Sequence, residues 1–226
     1  MAVLEGGVSG ALQGVGAEAS SPGHVAIYPV SYGSGGVYRI GATSGTMAAA
    51  LAANSEIFQF RYVTAASRIA LVHRVTISAG ANVAATVAGL VAFRMTIARS
   101  WTAAGSGGAR LTLTGDNVNM RTIMAASEVN DAGIASTGAL TAGTKTLDTT
   151  DMGAVSIGIG TGAITVAANL NLLEDTQLFG SQDGSAHPLV LANQEGFVIR
   201  SGANAWPATM TWSFSVNVAW SEVPAF

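Results

Sequence analysis

The sequence predicts an all-β protein, an antiparallel sandwich or barrel led by an extended N-terminal arm, and three observations carry that expectation. Residues 211–221, TWSFSVNVAWS, alternate large apolar side chains with small, mostly polar ones. Successive side chains of a strand point to opposite faces, so Trp212, Phe214, Val216, Val218 and Trp220 line one buried face. Thr211, Ser213, Ser215, Asn217 and Ser221 then meet water or a partner. The same two-residue period recurs at Ser55–Val63, Arg68–Ser78 and Ala88–Trp101. Finally, turn-forming Gly, Ser, Thr and Asn punctuate the chain often, and no strand–helix alternation of a parallel α/β fold is present.

Taken in order, residues 1–23 form the arm and residues 24–226 a single sandwich domain. The arm is glycine-rich without a sustained period, but it carries the apolar beads Val3, Leu4, Val8, Leu12 and Val15. A disordered tail has no need of them, whereas an arm laid on a neighbouring subunit buries them. His24–Val30 and Gly36–Ala42 read as short strands joined by the turn SYGSGG. Thr46–Asn54 reads as the one helical turn, with Ser44 as its N-cap.

Along Ser55–Val63, Phe58, Phe60 and Tyr62 face one way and Gln59, Arg61 and Val63 the other. Along Arg68–Ser78, Ile69, Leu71, His73, Val75 and Ile77 share a face, with His73 on the apolar side. Along Ala88–Trp101, Val91, Phe93, Met95, Ile97, Arg99 and Trp101 oppose Ala92, Arg94, Thr96, Ala98 and Ser100. The middle, Thr102–Thr150, reads as long loops with short edge strands at Arg110–Thr114 and Met120–Met124. Ala154–Ile159 and Ala163–Ala168 form a candidate pair, followed by Leu170–Gly180, Pro188–Ala192, Gly196–Arg200 and the C-terminal strand.

Composition narrows the function classes. The 226 residues are long enough to bury a sizeable core, yet only 10% are charged and the net charge is −3. A surface so poor in charge suits coverage by copies of the chain or by another protein. Arginines are dispersed and Lys145 is the single lysine, so no basic face for nucleic acid is built. No cysteine is present, which removes disulfides, thiol nucleophiles and cysteine-bound metals. The N-terminus lacks a basic region and a continuous apolar run, so no secretory signal is expected. The uncharged windows 75–93 and 153–173 carry Ser, Thr, Asn and Gly in place of the leucine density of a membrane span.

No motif carries chemistry. Gly158-Ile159-Gly160-Thr161-Gly162 lacks the third glycine and the following helix of a dinucleotide loop. His24, His73 and His187 are far apart and have no ligand at metal spacing. Asp148/Asp151 and Glu174/Asp175 sit outside any loop of alternating oxygen ligands. Catalytic, cofactor and metal residues are therefore assigned as none. Trp212 and Trp220 read as core, while Trp206, preceding Pro207 in a loop, is the best candidate for an exposed contact.

Three segments resemble virion structural proteins of tailed bacteriophages: SEIFQFRYV, RIALVHRVTIS with the later FRMTIARSW, and EGFVIRSGANAWPATMTWSFSVNVAWSEV. The resemblance implies a jelly-roll-like β-sandwich and a non-enzymatic capsid decoration or cement protein. Its implied partners are itself, as a homo-oligomer of trimer type, and a major capsid protein, with no nucleic acid and no membrane. Its implied location is the capsid surface of the virion, after synthesis in the host cytoplasm without a signal peptide. Candidate partner contacts are Val3, Leu4, Val8, Leu12, Val15 and Trp206. The alternative is a host-recognition or carbohydrate-binding module of a tail or fibre, with Trp206 in contact.

Overall fold

The computed structural model describes residues 3–5, 12–14, 36–64, 68–113, 115, 117–120, 125–161, 171–180 and 187–224. The chain divides into the units Met1–Ser31 and Tyr32–Phe226. In the first, β1 (Val3–Glu5) and β2 (Leu12–Gly14) pair antiparallel, with Leu4 opposite Gln13. The segment expected to run extended thus contains a local hairpin. Of its apolar beads, Val8 and Val15 lie outside the described residues, and Val3, Leu4 and Leu12 are described by backbone pairing.

The second unit is an antiparallel sandwich. Its strands are β3 (Gly36–Thr43), β4 (Glu56–Tyr62), β5 (Ile69–Ala81), β6 (Gly89–Ala103), β7 (Ala109–Arg110), β8 (Val129–Ile134) and β9 (Thr144–Ile159). They continue with β10 (Asn171–Gly180), β11 (Leu189–Leu191), β12 (Glu195–Ser201) and β13 (Trp212–Val223). One sheet has the order β10-β5-β13-β3, with β11 also on β5, and the other β7-β8-β4-β12-β6-β9. The eight long strands thus divide between two four-stranded layers, with orders β3-β13-β5-β10 and β4-β12-β6-β9, changing layer at every step except from β6 to β9. This is the strand order of a jelly roll. β7 and β8 widen the second layer beyond β4.

The core lies between the layers because each contributes one apolar face. β13 alternates as its sequence dictates: Trp212, Phe214, Val216, Val218 and Trp220 are buried and the residues between them half-buried. Trp220 stacks on Tyr38 with centroids 5.5 Å apart and meets Phe60 edge-on at 5.1 Å. Phe60 in turn stacks on Phe197 at 5.0 Å. A second aromatic group joins Trp212 to Phe214, Phe93 and Trp206. At Gly153 of β9 an added Cβ would stand 1.8 Å from the Leu178 carbonyl oxygen. Glycine there lets the edge strands of the two layers approach each other.

Several sequence expectations need correction. Thr46–Asn54 is not helical: Met47 bridges to Trp212, exchanging backbone hydrogen bonds with it, so the loop is held by the end of β13. No helix occurs among the described residues. The expected strand Ala154–Ile159 is the end of the 16-residue β9, which starts at Thr144, and β8 occupies part of the region that reads as loops; TKTLDTTD and VNDAGI give a weak signal because small and polar residues dominate them. Of the expected strand Arg110–Thr114, Arg110 ends β7, residues 111–113 are not strand, and Thr114 lies outside the described residues. Met120 bridges nothing as a strand residue, and 121–124, like His24–Val30 and Ala163–Ala168, lie outside the described residues.

Two facings also change. Along β5, Ala70 and Val72 enter the core and then Val75 and Ile77 do so. The pairing to β13 slips between Ala219↔Arg74 and Trp220↔Val72. This bulge adds a residue at His73 and reverses the phase, leaving Leu71 and His73 on the outer side. Along β6, Ser100 has φ 50°, and Trp101 consequently turns to the outer face with Ala98, Val198 and Leu147.

Candidate interaction surface

The outer face of the β3-β13-β5-β10 layer is built from the small residues that β13 turns away from the core. Strand register sets them in rows. Ser215 lies between Thr43 and Ser78, and Asn217 between Gly41 and Thr76, with Gln177 beyond on β10. Ala219 lies between Arg39 and Arg74, and Ser221 opposite Val37 and Leu71. The Asn217 side chain lies over Gly41, whose added Cβ would meet its Oδ1 at 2.9 Å. The central rows of this face are therefore small and polar, and Asp175 of β10 lies against them, its amide donating to Ser78 Oγ at 2.9 Å.

Charges adjoin these rows. Arg74 pairs with Asp175 at 2.9 Å, and Arg39 is exposed. His73 hydrogen-bonds Ser221 at 2.8 Å between Nε2 and Oγ, and burial lowers its pKa from the ordinary 6.5. Folded protein therefore binds fewer protons here than unfolded protein. The sign follows: no penalty exists above 6.5, and stability falls as pH drops below it toward the folded value. Denaturation at about pH 7.5 and about pH 5 checks this, and His73→Gln is expected to remove part of the pH-dependent loss.

The outer face of the other layer differs. Asp151 accepts bonds from Thr96 Oγ1 at 2.6 Å, Arg94 Nη1 at 3.1 Å and Arg200 Nη2 at 3.1 Å. Burial works to raise its pKa, but these hydrogen bonds and the two guanidinium charges outweigh it and hold the carboxyl below its ordinary value. Arg99 grips both oxygens of Asp148, at 2.9 and 3.1 Å. The carboxylates weighed as cation ligands are thus occupied by arginines, and Asp175 by Arg74. Among the described residues no group of three or more metal-ligating side chains occurs, and no helix is long and apolar enough to cross a membrane.

Beside this network the single lysine is enclosed. The Lys145 side chain is 2% exposed and donates to Glu56 Oε2 at 2.8 Å and to the Ala142 carbonyl. Its Nζ stands 4.5 Å over the Trp101 ring. Gln59 Nε2 donates to the same Glu56 oxygen at 2.7 Å and to the Thr141 carbonyl at 2.7 Å. Burial lowers the Lys145 pKa against the opposing pull of Glu56. Sequence reasoning singled out Lys145 only as a count. Nothing local links it to Glu56, since β12 and β6 lie between β4 and β9 in the sheet.

Trp206 is a correction. It is 3% exposed, packs edge-on against Phe93 at 5.0 Å and lies 4.1 Å from Trp212. The loop before Pro207 folds inward because the Trp206 amide donates to the Leu51 carbonyl at 2.9 Å. It is a core residue, not a surface contact. His187, by contrast, is exposed, with Nδ1 2.6 Å from the Pro188 carbonyl oxygen.

No protein-family model, curated protein or solved structure matches this chain.

Proposed function

We propose that this chain is a non-enzymatic structural protein of a tailed-phage virion, a capsid decoration or cement protein that works through subunit interfaces. The observation that carries the reading is the outer face of the β3-β13-β5-β10 layer, with Ser215, Asn217, Thr43, Gly41, Ser78 and Thr76 in register. A surface of small polar side chains lets a neighbouring layer approach closely, and the Arg74–Asp175 pair beside it is already neutralised within the chain. The jelly-roll order of the strands and the resemblance of the three segments support the same reading, though a fold alone does not assign a function. Its partners are further copies of the chain, in a trimer, and a major capsid protein, on the outside of the particle. The mechanism is accumulated area: each contact is modest, and repetition over a symmetric shell supplies strength.

The test is the native mass of the purified chain together with its rebinding to capsids that lack it. A discrete oligomer that rebinds supports the proposal; a monomer at high concentration that leaves capsids bare overturns it. Ser215→Arg places a charge at the centre of the face and is expected to weaken association at least tenfold, about 1.4 kcal/mol, measured by sedimentation. The carbohydrate-binding alternative loses its contact residue, since Trp206 is in the core.

A further inference from the structure

We propose that Lys145 and Gln59 join in an intramolecular amide bond, with Glu56 as the catalytic residue, fastening the edge strand β9 to β4 across the outer face of the sheet. The inference rests on geometry and is independent of the virion reading. Both nitrogens that exchange places in such a reaction, Lys145 Nζ and Gln59 Nε2, hydrogen-bond one oxygen, Glu56 Oε2, at 2.8 and 2.7 Å. A single carboxylate thus touches the incoming and the outgoing nitrogen, the position needed to move protons between them.

The surroundings favour condensation over hydrolysis. Gln59 is 0% exposed. A Cβ at the buried Gly105 would stand 2.6 Å from Gln59 Nε2 and 1.9 Å from the Thr141 carbonyl oxygen, so backbone closes directly over the amide. The Trp101 ring covers the lysine. An enclosed site of this kind limits access of water, and the shared Glu56 oxygen holds both nitrogens to one side chain. Desolvation also disfavours the ammonium form, raising the share of neutral amine.

The step balances without a co-reactant. Glu56 takes a proton from the Lys145 ammonium, and the freed electron pair on Nζ forms a bond to Gln59 Cδ. The carbonyl π pair moves to Oε1. Glu56 then gives its proton to Nε2 and takes the remaining surplus proton from Nζ. The Oε1 pair returns to the carbonyl, the Cδ–Nε2 bond breaks, and ammonia leaves and accepts the proton from Glu56. The products are a secondary amide, an ammonium ion and the original carboxylate.

The deciding experiment is the intact mass of the purified full chain, followed by sequencing of its proteolytic peptides. The expected result is a mass short by one ammonia and a branched peptide joining Gln59 to Lys145. A chain of full mass, or an ammonia loss mapped to any other residue, overturns the proposal, and the unaltered protein alone decides it. Glu56→Gln and Lys145→Arg are expected to lose the branched peptide completely. Its persistence in Glu56→Gln would remove Glu56 from the chemistry and overturn the proposal in that part.

Discussion

Replacing Trp220 with alanine is expected to lower folding stability by about 3–5 kcal/mol. The indole is fully buried at the centre of the sandwich, stacked on Tyr38 from β3 and met edge-on by Phe60 from the opposite layer. Its removal therefore opens a cavity bounded by two sheets, and rigid strands on both sides prevent collapse into it. Tyr38, whose phenol burial and the nearby Glu222 push up to about 12, also loses its stacking partner. Chemical denaturation of the variant checks the size. A loss under about 1 kcal/mol would contradict the assigned packing.

The second large effect is expected at Glu222, the residue that follows Ser221 back into the interior. It is 0% exposed. One carboxylate oxygen accepts from Ser127 Oγ at 2.6 Å, from the Glu128 amide at 3.0 Å and from Trp220 Nε1 at 3.2 Å. Glu222 therefore ties the loop before β8 to the end of β13 and satisfies the indole that anchors the core. Glu222→Ala leaves these buried donors unmade, at roughly 1–3 kcal/mol each, for a summed loss of about 3 kcal/mol or more. Denaturant midpoints measure the loss, and limited proteolysis is expected to open residues 125–128 first. An unchanged midpoint would show that the carboxylate has no structural part there.

How much of this was legible in the sequence depends on how regular each strand is. The facing of β13 follows from its alternation over Trp212–Trp220, because no bulge interrupts the rows that fill the core. The sandwich class and the position of β4, β6 and β12 follow for the same reason. β5 defeats alternation at His73, and β6 does so at Ser100, since a bulge or a left-handed residue shifts the phase by one and leaves no compositional mark. The end of β9, Ala154–Ile159, is legible, but its first part from Thr144 hides because small polar side chains, half-exposed as suits an edge, dominate it. Trp206 misleads for another reason: proline and neighbouring small residues mark a loop correctly, but they do not tell which way the loop folds. The cluster of Glu56, Gln59 and Lys145 is illegible in principle from local pattern, because it arises from strand order.

That strand order has a consequence for how the protein is made. The central strands of the two layers, β12 and β13, are the last of the described strands to leave the ribosome, and each lies between strands synthesised long before it. β3 pairs with β13 and β4 with β12, so neither layer can close while residues 195–223 are still in the exit tunnel. Folding is therefore dominated by distant pairings that wait for the last of the described strands, and is slow for its size. Until then the aromatic faces of β4 and β6 wait uncovered, an interval in which exposed apolar surface favours aggregation.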